Sequence, residues 1–265
     1  MLLRSDFNRC YVTTRTGVAV LTLNHPETVN AASPAMMQGC VEAMDAIEAD
    51  SSLRALILTG EGRGFCAGQE LGPEVMPGPN GPPDLQTLAD RYHHEAVRRI
   101  RASRLPFVAA VNGVAAGAGA SFALAADIVL AARSATFVQA FIRIGLVPDS
   151  GASFFLTHLV GDARARALTM LGDAIDAETA ERWGMIWKAV DDDALPAATE
   201  ALAERLVRAP AAALAGIKQA FAAVATNTLH AQLDLEAHLQ GEAGRSADFA
   251  EGVRAFQEKR PPRYS

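Results

Sequence analysis

A mixed α/β core followed by a helical C-terminal part is the fold class predicted by this 265-residue sequence. Three observations carry that expectation. Short apolar runs alternate with helical periodicity between residues 11 and 131, and after about residue 150 helical periodicity dominates. Half of the residues are apolar and a fifth are charged, so the chain can bury a sizeable core without disulfides or a metal.

The elements follow in order. Residues 11–14 and 18–24 flank the turn Arg15-Thr16-Gly17 and predict a hairpin. Ser33 and Pro34 predict a helix start, as N-cap and first helical residue. Met37, Cys40, Val41, Met44 and Ile47 then recur at helical spacing and form a core stripe. Residues 53–59, 107–111 and 127–131 read as buried strands. Residues 72–84 hold three glycines and five prolines, which excludes regular structure and leaves a plain surface loop or a lid. Asp176 caps a further helix, and residues 195–208, 210–225, 229–240 and 248–259 read as successive helices. The expected division is an α/β core over residues 1–195 and a helical region over 196–265.

Composition narrows the function classes. With 24 basic against 30 acidic residues the net charge is −6, and no basic stripe interleaves with aromatics, so no nucleic-acid partner is expected. Cys10, Cys40 and Cys66 are odd in number and scattered, which argues for a reducing, cytoplasmic setting over a disulfide framework. The opening residues MLLRSDFNRCYV lack a signal-peptide apolar core. Residues 105–126 carry no formal charge and are long enough to span a bilayer. Their alanines, glycines and Pro106 fit a buried strand and a tightly packed helix better, so no membrane association is expected.

Familiar chemical motifs are missing. There is no Walker loop, and both glycine clusters fail a dinucleotide fingerprint at the third glycine. No Gly-x-Ser-x-Gly elbow occurs. The six histidines lack metal-ligand spacing and read as structural or surface residues, so neither a metal nor a redox cofactor is expected. What remains is a pair of strand-to-turn transitions, residues 60–69 (GEGRGFCAGQ) and 112–121 (NGVAAGAGAS). Small residues at such points let a ligand approach the backbone, and amides at a helix start lack intrahelical acceptors. Two converging amides would make an oxyanion hole. Close packing of helix on strand would account for the same residues.

The segments GRGFCAGQEL and AVNGVAAGAGASFALAADIVLA resemble the two signature regions of the enoyl-CoA hydratase/isomerase (crotonase) superfamily, and LNHPETVNA is similar to its CoA-contacting loop. The likeness covers about residues 10–260. It implies a ClpP/crotonase-type repeated ββα superhelix with a helical C-terminal trimerisation region. It further implies an acyl-CoA thioester substrate that brings its own CoA, with no separate cofactor, and a homotrimer or dimer of trimers. Carried over by motif position, the oxyanion donors are Ala67 and Ala118. The substrate and CoA contacts are His25, Glu27, Val29, Cys66, Gly68, Gln69, Leu71, Gly117, Ser121 and Phe141, with Phe256 and Lys259 serving a neighbouring subunit.

Family hydratases carry two glutamates where this chain has Ser121 and Phe141, which disfavours addition of water. One carboxylate remains, Asp149 in GLVPDSG. A helix-start aspartate is an ordinary N-cap or first-turn residue. However, QAF, RIGLVPDSG, MLGDAIDAETAERWGMIW, NTLHAQLDLE and GRSADFAEGVRAFQEKR resemble the branch of the family that isomerises ring epoxides in phenylacetate breakdown. In that branch the corresponding aspartate moves the proton. The resemblance thus implies a CoA-thioester isomerase with Asp149 as base. The alternatives are a general hydratase or 3,2-enoyl-CoA isomerase, and a non-catalytic acyl-CoA-binding subunit. Ala152 and Phe154-Phe155 depart from that branch's pattern.

Overall fold

A computed structural model describes residues 3–72, 75–78 and 81–265. The elements run β1 (Leu3–Phe7), β2 (Cys10–Arg15), β3 (Val18–Leu23), α1 (Pro34–Ala49), β4 (Ala55–Gly60), β5 (Gly64–Cys66), α2 (Leu85–Leu88), a π-helical turn (Ala89–His94) and α3 (Glu95–Ala102). Then come β6 (Phe107–Val111), β7 (Val114–Ala116), α4 (Ala118–Leu124), β8 (Ile128–Ala132), β9 (Thr136–Val138) and a 3-10 turn (Ala140–Ile144). Next are α5 (Ala152–Val160), α6 (Asp162–Leu171), β10 (Ala174–Asp176), α7 (Ala177–Arg182), β11 (Lys188–Val190), α8 (Leu195–Val207), α9 (Ala211–Ala223), α10 (Leu229–Gly244) and α11 (Ala247–Gln257).

Two sheets result. The larger has strand order β1-β2-β3-β4-β6-β8-β11, and the smaller β10-β9-β7-β5. The first three strands are antiparallel; from β3 to β11 all pairings are parallel. The pairs β4–β5, β6–β7 and β8–β9 each place their first strand in the larger sheet and their second in the smaller, with helix following. That is the expected ββα repeat.

The central strands are apolar because they lie under helices. All five residues of β6 are buried, as a strand covered on both faces requires. Helix α1 packs on β2 and β3, and α8 packs on β3, β4, β6 and β8. The Ser33 hydroxyl accepts from the Met36 amide and caps α1, while Asp176 accepts from Thr179 and caps α7. Helices α9 and α10 bury no residue fully within this chain. Of the 72–84 loop, 73, 74, 79 and 80 lie outside the described residues, and the possible lid with them. No helix among the described residues is long and apolar enough to cross a membrane.

The uncharged stretch from 105 to 126 becomes β6, β7 and α4. Every residue of α4 is buried. Gly119 sits so close to β5 that an added Cβ would lie 2.3 Å from the Cys66 carbonyl oxygen. Small residues are demanded there by packing, whatever else the segment does.

Candidate active site

Three parallel strands end side by side in the smaller sheet. β5 pairs with β7 (Gly64 with Val114), and β7 pairs with β9 (Ala116 with Val138). The segments after them, 67–71, 117–121 and 139–141, are therefore neighbours. Gly68 adopts φ +90°, and a Cβ there would lie 2.8 Å from the Ala116 carbonyl oxygen and 3.8 Å from the Ala118 nitrogen. Gly117 caps α4 and donates to the Val138 carbonyl at 2.8 Å. The buried Phe141 ring covers Gly117, 3.7 Å from where its Cβ would be.

A second clasp holds the first turn. His25 and the 3-10 turn Pro26–Thr28 lead into Val29 and Asn30, both with left-handed backbone (φ 55° and 54°). Such geometry costs about 1–3 kcal/mol per residue, more readily borne by asparagine than by β-branched valine. Asn30 is fully buried and holds it: Oδ1 accepts from the His25 amide at 2.8 Å, and Nδ2 donates to the Glu61 and Gly64 carbonyls at 2.9 Å each. Residues 29–32 grip the 64–70 segment. The Ala67 amide donates to the Val29 carbonyl at 3.0 Å, Ala32 to Gly68 at 2.7 Å and Glu70 to Ala32 at 3.1 Å.

This geometry corrects the placement of the first oxyanion donor at Ala67. Its N–H is already bonded to Val29. The Gly68 carbonyl and Glu70 amide both face Ala32, so the Gln69 amide between them faces the opposite way. Among the described residues that amide has no hydrogen-bond acceptor. Ala118, the first residue of α4, likewise has an amide without an intrahelical acceptor. Cys66 is also corrected as a contact. It is fully buried under Gly119, its thiol pushed up to about 11 by burial, and it packs the turn from beneath.

Asp149 lies in the loop ahead of α5, half-buried. The N-cap of α5 is Gly151, so the Asp149 carboxylate does not cap it. Its Oδ1 accepts from the Ser150 hydroxyl at 2.9 Å, leaving the rest of the carboxylate free of protein donors among the described residues. Ser121 is fully buried; its hydroxyl donates to the Gly117 carbonyl at 3.2 Å and lies 3.5 Å from the Asp149 carbonyl oxygen. The serine thereby links the α4 start to the Asp149 loop.

Sequence reasoning missed His93. It lies in the π-helical turn with 3 % of its surface exposed, stacked on Phe122 of α4 at 5.9 Å between centroids. Its Nε2 bonds the Gln69 side-chain oxygen. Burial pushes the imidazole below its usual range, against the opposing pull of the Asp149 charge. Nothing in the spacing of the histidines could reveal this, because the contact spans 24 residues and a proline-rich loop.

Glu27 and Leu71 are exposed at the edges of the two turns. Phe256 and Lys259 sit at the end of α11; Phe256 is exposed and lines a groove with Pro210, Ala213 and Phe249. Within one chain they belong to the helical region. Phe154 faces a cavity of about 820 Å³ shared with Gly151, His158, Lys218 and Phe221. No group of three metal-capable side chains occurs among the described residues.

A family model described as enoyl-CoA hydratase/isomerase matches residues 13–265. The chain belongs to the enoyl-CoA hydratase/isomerase family. Its curated relatives include the 1,2-epoxyphenylacetyl-CoA isomerase of Escherichia coli, 48 % identical over 94 % of this chain and 95 % of that protein. A Rhodobacter capsulatus protein named "Probable enoyl-CoA hydratase" is 49 % identical over the same shares. Among solved structures, an enoyl-CoA hydratase from Polaromonas sp. JS666 superposes with a TM-score of 0.88 at 33 % identity, covering 97 % of this chain and 99 % of that one. The mixed sheets and helices described above are thus the crotonase-like fold of this family.

Proposed function

We propose that this protein isomerises acyl-CoA thioesters by proton transfer at the carbon next to the thioester carbonyl, with the ring-1,2-epoxide of phenylacetyl-CoA as substrate and an oxepin-CoA as product. The observation that carries the reading is the Asp149 carboxylate, held among the described residues by the Ser150 hydroxyl alone, on the loop that Ser121 ties to the start of α4, where the Ala118 amide and the Gln69 amide of the adjoining Gly68 turn have no acceptor among those residues. The likeness to the E. coli isomerase supports the choice of acyl group.

The chemistry follows from those three groups. The thioester oxygen accepts from the Gln69 and Ala118 amides, which strengthen their hold as negative charge moves onto it. Losing one such donor typically costs about 3 kcal/mol of barrier. Asp149 takes a proton from the side-chain CH₂, and the electron pair becomes the enolate. In the epoxide, the bond shared by the six- and three-membered rings breaks, the ring expands to seven members, and the proton returns to a ring carbon. Atoms and charge balance without water or a redox partner. The same machinery moves a double bond from the 3 to the 2 position of an enoyl-CoA.

Hydration needs a base for the attacking water and an acid for the carbon next to the thioester carbonyl. The positions that would carry glutamates hold Ser121, whose hydroxyl is spent on backbone carbonyls, and the Phe141 ring. Asp149→Asn in a folded protein is expected to lower isomerase turnover by about 10²–10⁴-fold, the usual range for one acid–base group. Full turnover would overturn the assignment.

The assembly we propose is a homotrimer or dimer of trimers, in which α9, α10 and α11 cover one another's apolar faces and bring Phe256 and Lys259 to a neighbour's CoA. Ile217, Phe221, Leu229, Leu233 and Phe249 are more than half exposed in the single chain, more apolar surface than a monomer ordinarily leaves in water.

A further inference from the structure

We propose that His93 is a positioning residue for enolisation: its Nε2–H···Oε1 bond to Gln69 holds the Gln69 amide on the thioester oxygen. This rests on the Gln69 amide being one of the two oxyanion donors.

The Gln69 amide has no acceptor among the described residues, so its direction depends on how the residue is held. Its backbone is gripped on one side only, through Gly68 and Glu70 to Ala32. Immediately beyond lies the Gly- and Pro-rich loop that begins at Gly72. The side chain supplies the second grip. Gln69 Nε2 donates to the Glu70 carbonyl at 2.9 Å, which fixes the side-chain amide with its oxygen toward His93. An amide oxygen only accepts, so His93 Nε2 must carry the proton. In a neutral ring, Nδ1 is then a bare lone pair, and it is buried with no hydrogen-bond partner among the described residues.

That orphan separates His93 from an ordinary core histidine. A buried acceptor left unsatisfied costs about 1–3 kcal/mol, and an apolar ring would fill the same space without that cost. The ring is held in plane by Phe122, at an interplanar angle of 6°, and Phe122 belongs to the helix whose first amide is the other donor. His93 also lies in a π-helical turn, a widening that occurs mostly as a single turn and often at functional sites. One side chain thus couples the two turns that supply the oxyanion amides.

The test is steady-state kinetics on 3-hexenoyl-CoA with the full chain. His93→Phe keeps the volume and the stack on Phe122 but removes the donor. It is expected to lower kcat by about 10–100-fold, less than full loss of a donor, with KM within about twofold. His93→Gln, whose Nε2–H stands near the position of the imidazole Nε2–H, is expected to recover most of kcat. Gln69→Met removes the acceptor while keeping the backbone amide and should reproduce the His93→Phe loss, with no further loss in the double variant. This half-buried position also serves if His93→Phe does not fold. Unchanged kcat in folded His93→Phe or Gln69→Met, additive losses, or no recovery by His93→Gln would each overturn the proposal. Asp149→Asn run alongside separates the two claims. If it is inactive while the His93 and Gln69 variants are normal, only the positioning role falls; if it is fully active, the assignment of Asp149 as the base falls.

Discussion

At the scale of single residues, the site depends on atoms that are absent as much as on those present. Gly68 is where a backbone with positive φ meets a carbonyl that leaves no room for Cβ. Gly68→Ala should therefore destabilise the fold by about 1–3 kcal/mol and lower kcat, because the Gln69 amide would shift with it. Gly78→Ala, where an added Cβ meets no described residue within 4 Å, is the matched control and should leave both unchanged. Urea melts and initial rates on the pair check this; equal behaviour would contradict the close approach. The residue scale is also where sequence reading stops. Ala118 and Asp149 can be singled out in the sequence because a motif fixes their register, while the roles given to them are proposed. Ala67 is not separable from Gln69, since which amide is left without an acceptor among the described residues is decided by the φ of Gly68 and the bridge to Ala32. His93 is invisible because only folding brings it to Gln69.

At the scale of elements, long periodic segments are readable and short ones are not. Helix α1, its Ser33 cap and the α8–α11 series lie close to where spacing predicts them. Strands β5, β7 and β9 are three residues each, too short for a period to show, yet with β10 they form the smaller sheet whose strand ends carry the candidate site. The 24–30 segment is likewise shaped by tertiary bonds, those of buried Asn30. Asn30→Ala is expected to raise KM for an acyl-CoA by about 10-fold while changing kcat less, and to cost about 1–3 kcal/mol of stability through the carbonyls it leaves unpaired. An unchanged KM would show that this turn does not contact the CoA. At the other end of the chain, Arg260 and the Arg263 amide hold the α11 carboxylate of Glu251 down to about 2. A depressed carboxylate contributes its full stabilisation above its unfolded value of 4.5 and loses it as pH falls toward 2. The protection of the Arg263 amide, its exchange rate divided into the intrinsic rate at each pH, should fall as pH is lowered across that window; constant protection would contradict the pairing.

For the whole molecule, the ββα repeat explains how an uncharged, alanine-rich stretch comes to border the proposed site. The repeat lays three strand ends side by side, and small residues let α4 press against β5 while its first amide stays open. The proposed enolisation then needs side-chain charge only once, at Asp149. The same architecture leaves the C-terminal helices with exposed apolar faces. Light scattering should give a mass of three or six chains, and Phe221→Asp with Leu229→Asp should shift it toward the single chain. An active monomer would remove the shared CoA site. The central claim, enolisation by Asp149 against two backbone amides, is tested most directly by exchange of the α-protons of phenylacetyl-CoA in deuterium oxide. The wild-type protein should catalyse that exchange, and folded Asp149→Asn should slow it by about 10²-fold or more. Equal exchange rates in the two proteins would contradict the claim.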